Sequence, residues 1–174
     1  MLSDTSALTA AAGPAIAFCA SWGLLVPVAL VLVAIARETR WRAALVEAVA
    51  GGLATLVLVK VAGLVYAHPR PFVVHHVLPL IAHAADNGFP SDHSAAAGLA
   101  VAFLWPRSRL FAAIAIVFGL LVGVARVAAQ LHWPIDIAGG YSFGISAGAV
   151  AFFICRRASR HRVAPSYVTG SSVR

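Results

Sequence analysis

LFAAIAIVFGLLVGVARVAAQLHWPID runs from Leu110 to Asp136. Its first part, Leu110–Gln130, carries one charge, Arg126. That run has the roughly 20 apolar residues a helix needs to cross a bilayer. In lipid the backbone must satisfy its own hydrogen bonds, so such a run is a helix. Arg126 near its end, with His132 and Asp136 just beyond, forms the pattern Arg-x5-His-x3-Asp. Ionisable groups at the edge of a hydrocarbon layer are expensive to keep and mark function by default.

Working outward, four more apolar runs appear: Ala15–Ala36, Ala43–Ala67, Ser94–Trp105 and Ile135–Cys155. The whole chain is 61% hydrophobic and 11% charged, where a soluble domain carries about 25% charge. The expected fold is all-α, a polytopic membrane bundle of about five transmembrane helices. One of them is short: Ser94–Trp105 would reach only about 18 Å, against a hydrocarbon core of roughly 30 Å. Residues 1–155 are expected to form a single integral membrane domain, and 156–174 a flexible basic tail. The N-terminal residues lack the basic n-region of a signal peptide. Cys19 and Cys155 fall inside expected spans, where a lone thiol serves as a small apolar side chain.

Charge placement orients the bundle. Five crossings leave Arg37, Arg40, Arg42, Arg107, Arg109, Arg156, Arg157, Arg160, Arg162 and Arg174 on one side. Cytoplasmic segments collect Lys and Arg, so that side is expected to be the cytoplasm, with the C-terminus there. Lys60, Arg70 and Arg126 break the rule and converge on the opposite, extracytoplasmic end. Each could snorkel to the headgroups alone, but three together imply an anionic ligand. Nucleic acid is not expected, because the chain offers no basic stripe on a soluble surface.

Two other polar stretches belong to the same end: Pro69-Arg70-Pro71 and Pro90-Ser91-Asp92-His93. The second is a helix-start signature, with Ser91 or Asp92 as N-cap. A helix N-terminus also offers free N–H groups to an anion. Pro134 suits the first position of the last helix, which puts Asp136 in its first turn within reach of the His132 ring. That pair fits a carboxylate orienting an imidazole nucleophile, a capping arrangement, or two ligands of a metal site. Phosphate chemistry ranks above a metal here, because no further thiols or carboxylates lie close by in sequence. His68, His75, His76 and His83 lie in or beside the loop between the second and third spans, either solvated or in touch with a diphosphate. Trp22, Trp41, Trp105 and Trp133 fit interfacial anchors.

Together the three stretches resemble the signature motifs of the type 2 phosphatidic acid phosphatase superfamily: Lys-x6-Arg-Pro, Pro-Ser-Gly-His and Ser-Arg-x5-His-x3-Asp. The resemblance covers about Lys60 to Gly140. Within the family, His68-Pro69-Arg70-Pro71-Phe72 and Phe89-Pro90-Ser91-Asp92-His93 resemble the bacitracin-resistance type of undecaprenyl-diphosphate phosphatase, which commonly has Asp where the wider family has Gly. There are two other departures. Ala125 replaces the Ser before Arg126. Lys60 precedes Arg70 by ten residues rather than seven, which moves it about 60° and about 4.5 Å along a helix and puts Gly63 at the motif position. The resemblance implies His132 as nucleophile, Asp136 as its orienter and His93 as acid and base. It implies Lys60, Arg70, Ser91 and Arg126 as phosphate ligands, with Asp92, His75 and His76 as further diphosphate contacts. It also implies a polyprenyl diphosphate lipid as substrate, the bilayer as partner, and neither cofactor nor metal. Other readings are a phosphatase of phosphatidic acid or phosphatidylglycerol phosphate, and a lipid-phosphate transporter without hydrolysis.

Overall fold

The computed structural model describes residues 2–161, and the rest of the expected tail lies outside them. All five expected spans are helical. The first is broken into α1 (Leu2–Trp22) and α2 (Leu25–Arg37), followed by α3 (Trp41–Val65), a single turn α4 (Pro71–Val74), α5 (Asp92–Leu104), α6 (Arg109–Ala128) and α7 (Pro134–His161). A two-residue turn at Gly23-Leu24 interrupts the helical bonding, while Ala12–Arg37 still has the length and hydropathy of one membrane span, as expected. Pro27 explains the turn: proline has no N–H to give the carbonyl four residues back, and its ring crowds that carbonyl. The carbonyl in question is that of Gly23, which accepts from the Val26 N–H instead, at 3.4 Å. The last helix runs six residues past Cys155, into the segment expected to be a tail.

The short helix α5 is the centre of the bundle. It packs most extensively on α7 and also touches α2, α3 and α6. Its buried residues Ser94, Ala95, Ala97, Gly98, Ala100, Phe103 and Leu104 point in all directions, as expected of a helix enclosed by others. Contact with α7 is through glycines. A Cβ on Gly140 would collide with the Ser91 carbonyl, one on Gly144 with the Ala95 carbonyl, and one on Gly148 would lie 2.7 Å from the Ala102 Cβ. Small residues at four-residue spacing let two membrane helices approach backbone to backbone. Gly140 thus serves helix packing.

At the end of the bundle where α2, α5 and α7 finish, Arg107 forms a two-pronged ion pair with the buried Glu47 of α3, both N–O distances 2.9 Å. Its guanidinium also lies over the Phe103 ring, 3.8 Å from the centroid. Arg107 is therefore a half-buried structural cation as well as part of the basic rim. Trp41 and Trp105 are exposed at the same end.

Gly144→Ala should lower the thermal midpoint in detergent, at a cost of about 1–3 kcal/mol for overpacking. Gly52→Ala on α3, where an added Cβ meets nothing within 4 Å, should be neutral or gain about 0.5–1 kcal/mol from helix propensity. Equal melting behaviour of the two variants would contradict the glycine contact as the bundle's tightest seam.

Candidate active site

The segment between α3 and α5 is tied down by Asn87. Its Nδ2 donates to the carbonyls of Gly63 (2.8 Å) and Tyr66 (2.9 Å), at the end of α3. Its Oδ1 accepts from the His68 N–H (2.8 Å) and the Phe89 N–H (3.1 Å). The Gly88 N–H donates to the His68 carbonyl (2.8 Å). These bonds carry the Arg70 stretch to the Ser91–His93 stretch. The Ser91 N–H then donates to the Asp136 carbonyl (3.0 Å), which joins both to the start of α7. All three polar stretches thus meet at one end of the bundle, as expected.

Arg70 and Arg126 are each 5% exposed. Buried guanidinium groups must be hydrogen-bonded. Arg70 donates from Nε to Asp86 Oδ1 (2.8 Å), from Nη1 to the Leu131 carbonyl (3.0 Å) and from Nη2 to the Asn87 carbonyl (3.3 Å). Arg126 donates from Nη1 to the Ala20 carbonyl (3.2 Å). Ala20 lies in the last turn of α1, where carbonyls have no helical partner. The break after Trp22 therefore supplies an acceptor for the site. Arg126 Nε is buried without a partner among the described residues.

Both guanidinium groups point at one atom. Arg70 Nη1 and Arg126 Nη2 each lie 3.3 Å from His132 Nε2. Arginine only donates, so His132 Nε2 accepts and holds its lone pair toward the cations. The ring proton is on Nδ1, which donates to the Gly88 carbonyl at 2.9 Å. Burial lowers the proton affinity of His132, and the charges of Arg126 and Arg70 lower it further, while its contacts with Asp136 and the Gly88 carbonyl oppose the shift. The result is a neutral imidazole whose unprotonated nitrogen faces two cations.

Asp136 sits differently from the expectation. Its Oδ2 is 3.7 Å from His132 Nδ1, farther than the Gly88 carbonyl. Oδ2 instead accepts from the Trp133 N–H at 2.8 Å, a carboxylate reaching back to cap its own helix. Oδ1 is 2.6 Å from His68 Nδ1. The orientation of His132 is thus shared between a backbone carbonyl and a carboxylate that His68 holds. Only folding brings Gly88, 44 positions away, to that ring.

Lys60, Arg70, Asp92, His93, Arg126 and His132 line one cavity of about 400 Å3. Gly63, at the motif position of the family lysine, also lines it. Ser91, expected as a phosphate ligand, does not line the cavity. It is fully buried, and its Oγ accepts from the Ser94 N–H (3.5 Å) and the Ser94 hydroxyl (3.3 Å), so it is the N-cap of α5. His75 turns away to Gln130 Oε1 (2.9 Å), and His76 is exposed with φ 53; neither lines the cavity. Trp133 does not line the cavity; its Nε1 donates to the Pro69 carbonyl (2.9 Å) beside the site.

His83, a weaker sequence candidate, does line the cavity, its Nε2 accepting from Arg126 Nη2 at 3.3 Å. Burial, then Arg70 and Arg126, lower its proton affinity. Asn87 gave no signal in the sequence, because a polar loop shows composition but not direction.

The sequence pattern of the PAP2 superfamily matches residues 41–160. The chain belongs to this superfamily. As a PAP2 protein it is a multi-pass membrane phosphatase. It is 40% identical over 131 residues to the undecaprenyl-diphosphatase BcrC of Bacillus subtilis, covering 74% of this chain and 67% of that protein. It is 32% identical over 102 residues to the putative undecaprenyl-diphosphatase YbjG of Escherichia coli, covering 58% of this chain and 51% of that protein. These matches therefore span about half to two thirds of the relatives' length. The fold matches the crystal structure of LpxE from Aquifex aeolicus with a TM-score of 0.65 at 24% identity, covering 84% of this chain and 86% of that one.

Ser91→Ala should lower stability by about 0.5–2 kcal/mol, the usual cost of a lost N-cap, and leave KM near the wild-type value. A thermal melt together with substrate titration checks this. A raised KM with unchanged melting would restore Ser91 as a phosphate ligand.

Proposed function

We propose that the protein removes the terminal phosphate of undecaprenyl diphosphate, releasing undecaprenyl phosphate and inorganic phosphate. The observation that carries the phosphatase chemistry is His132 Nε2, unprotonated between Arg70 and Arg126 at the cavity wall. The substrate rests on the 40% identity to BcrC of B. subtilis, whose name states that activity.

In the first step the Nε2 lone pair attacks the terminal phosphorus, and the bond from that phosphorus to the bridging oxygen breaks. His93 gives its proton to the departing undecaprenyl phosphate. In the second step neutral His93 takes a proton from water, whose oxygen attacks the phosphorus on His132. The P–N bond breaks, releasing phosphate and restoring the lone pair. Arg70 and Arg126 hold the equatorial oxygens and meet the charge that develops there. Lys60, exposed at the mouth, is a further cation for the diphosphate. The prenyl tail stays in the bilayer. By the charge asymmetry, the site opens on the extracytoplasmic face of a bacterial inner membrane with the C-terminus in the cytoplasm. The product is a lipid carrier returned to cell-wall assembly, and its recycling would relieve bacitracin. No feature of the cavity favours a non-hydrolytic transporter, which needs cations but no nucleophile.

Phosphate release should be measured with a chelator present, comparing undecaprenyl diphosphate with phosphatidic acid and phosphatidylglycerol phosphate. Wild type should prefer undecaprenyl diphosphate, and His132→Ala should lose about a thousandfold or more. A preference for another lipid would replace the substrate. Full activity of His132→Ala would remove the nucleophile.

The rate against pH should be bell-shaped. Attack needs His132 unprotonated and departure needs His93 protonated. Because the His132 proton affinity is lowered, the rate should fall on the acid side only below the ordinary histidine range, as Nε2 takes up a proton. The apparent values belong to the pair. A profile without an acid limb would count against His132 as the attacking base.

A further inference from the structure

We propose that His68 is a positioning residue for the phosphatase reaction, acting through Asp136 on His132. The inference rests on His132 being the nucleophile and not on which lipid is the substrate.

Asp136 is fully buried. Its Oδ2 accepts from the Trp133 N–H, and the one hydrogen-bond partner of Oδ1 among the described residues is His68 Nδ1, at 2.6 Å. The carboxylate sits 3.7 Å from His132 Nδ1. That is too far for a strong direct bond but close enough for its charge to act on the ring. When Nε2 bonds to phosphorus while Nδ1 keeps its proton, the imidazole becomes positive. The charge of Asp136 then stabilises the phosphorylated ring and the transition state before it more than the resting, neutral ring. Interactions of that kind raise kcat rather than tighten binding. Without the His68 donor, Oδ1 is a buried anionic oxygen with no partner. The carboxylate must then turn away or take up a proton, and either change weakens its hold on His132.

His68 is itself firmly placed. Its N–H donates to Asn87 Oδ1 and its carbonyl accepts from the Gly88 N–H. Its ring lies 5.5 Å from Tyr66 and 6.1 Å from Trp133, centroid to centroid. The Gly88 carbonyl in turn receives the His132 Nδ1–H. His68 thus reaches the nucleophile by two routes, side chain through Asp136 and backbone through Gly88. A side-chain substitution cuts only the first. His68 does not line the cavity, so substrate binding should survive its replacement.

The test separates the hydrogen-bond donor from the ring. His68→Asn keeps a nitrogen donor near the Nδ1 position and loses the ring. His68→Phe keeps the ring against Tyr66 and Trp133 and loses the donor. Both are made in the full chain, melted in detergent to check folding, and assayed for kcat and KM. His68→Leu replaces the Phe variant if that one does not fold. His68→Phe should lose about 10- to 100-fold in kcat, the usual effect of removing a supporting partner, at unchanged KM, while His68→Asn keeps most of the activity. Combined with Asp136→Asn, His68→Phe should add no further loss, since both act through one carboxylate. A larger loss in the Asn variant, equal losses in both, near-wild-type kcat in both, or additive losses with Asp136→Asn would each overturn the proposal. Should the wild type hydrolyse a different lipid phosphate, the substrate reading fails, and the same comparison is made with that lipid.

Discussion

The start of α5 lies against the start of α7 because Gly140 and Gly144 carry no side chain. A Cβ at either position would collide with a backbone carbonyl of the Ser91–Ala95 turn. That contact sets the register of the two helices, and the Ser91 N–H to Asp136 carbonyl bond locks it. With the two N-termini side by side, His93 on one helix and His132 before the other open on one cavity. The short length of α5 matters for the same reason. Its thirteen residues are packed on the longer helices α3, α6 and α7, and Ser91 at its start is fully buried.

Among the described residues the bundle holds three buried or half-buried arginines and treats them in two ways. Arg107 is neutralised by the two-pronged contact with Glu47 and serves the bundle. Arg70 and Arg126 are held largely by carbonyls, those of Leu131, Asn87 and Ala20. A carbonyl satisfies a guanidinium N–H without cancelling its charge. The one carboxylate on this pair, Asp86, touches Arg70 from an exposed position. The site therefore keeps a positive field in a low-dielectric surrounding, where it acts strongly on a phosphoryl group. Burial first, and then that field, lowers the proton affinity of His132.

The break in the first span joins these two themes. Pro27 ends α-helical bonding at the Gly23 carbonyl, α1 terminates, and its last-turn carbonyl at Ala20 becomes an acceptor for Arg126. A residue on the first helix thus shapes a site whose named residues all come later in the chain. Asn87 does comparable work from the loop, closing the end of α3 onto the Arg70 stretch.

The sequence by itself determined the membrane class, the five apolar runs and the shortness of the third, because length and hydropathy are properties of single segments. It also determined the helix starts at Ser91 and Pro134 and the grouping of Arg70, His93, Arg126 and His132, because capping chemistry and motif spacing are local. Only the tertiary structure decided what each polar atom touches. It left Ser91 off the cavity, sent His75 to Gln130, moved the short bond of Asp136 from His132 to His68, and gave His132 the Gly88 carbonyl. Those outcomes depend on helix register, on the close approach allowed at two glycines and on the path of a polar loop. Hydrogen bonds between residues tens of positions apart leave no periodicity in the sequence, so they become visible only when the chain is folded.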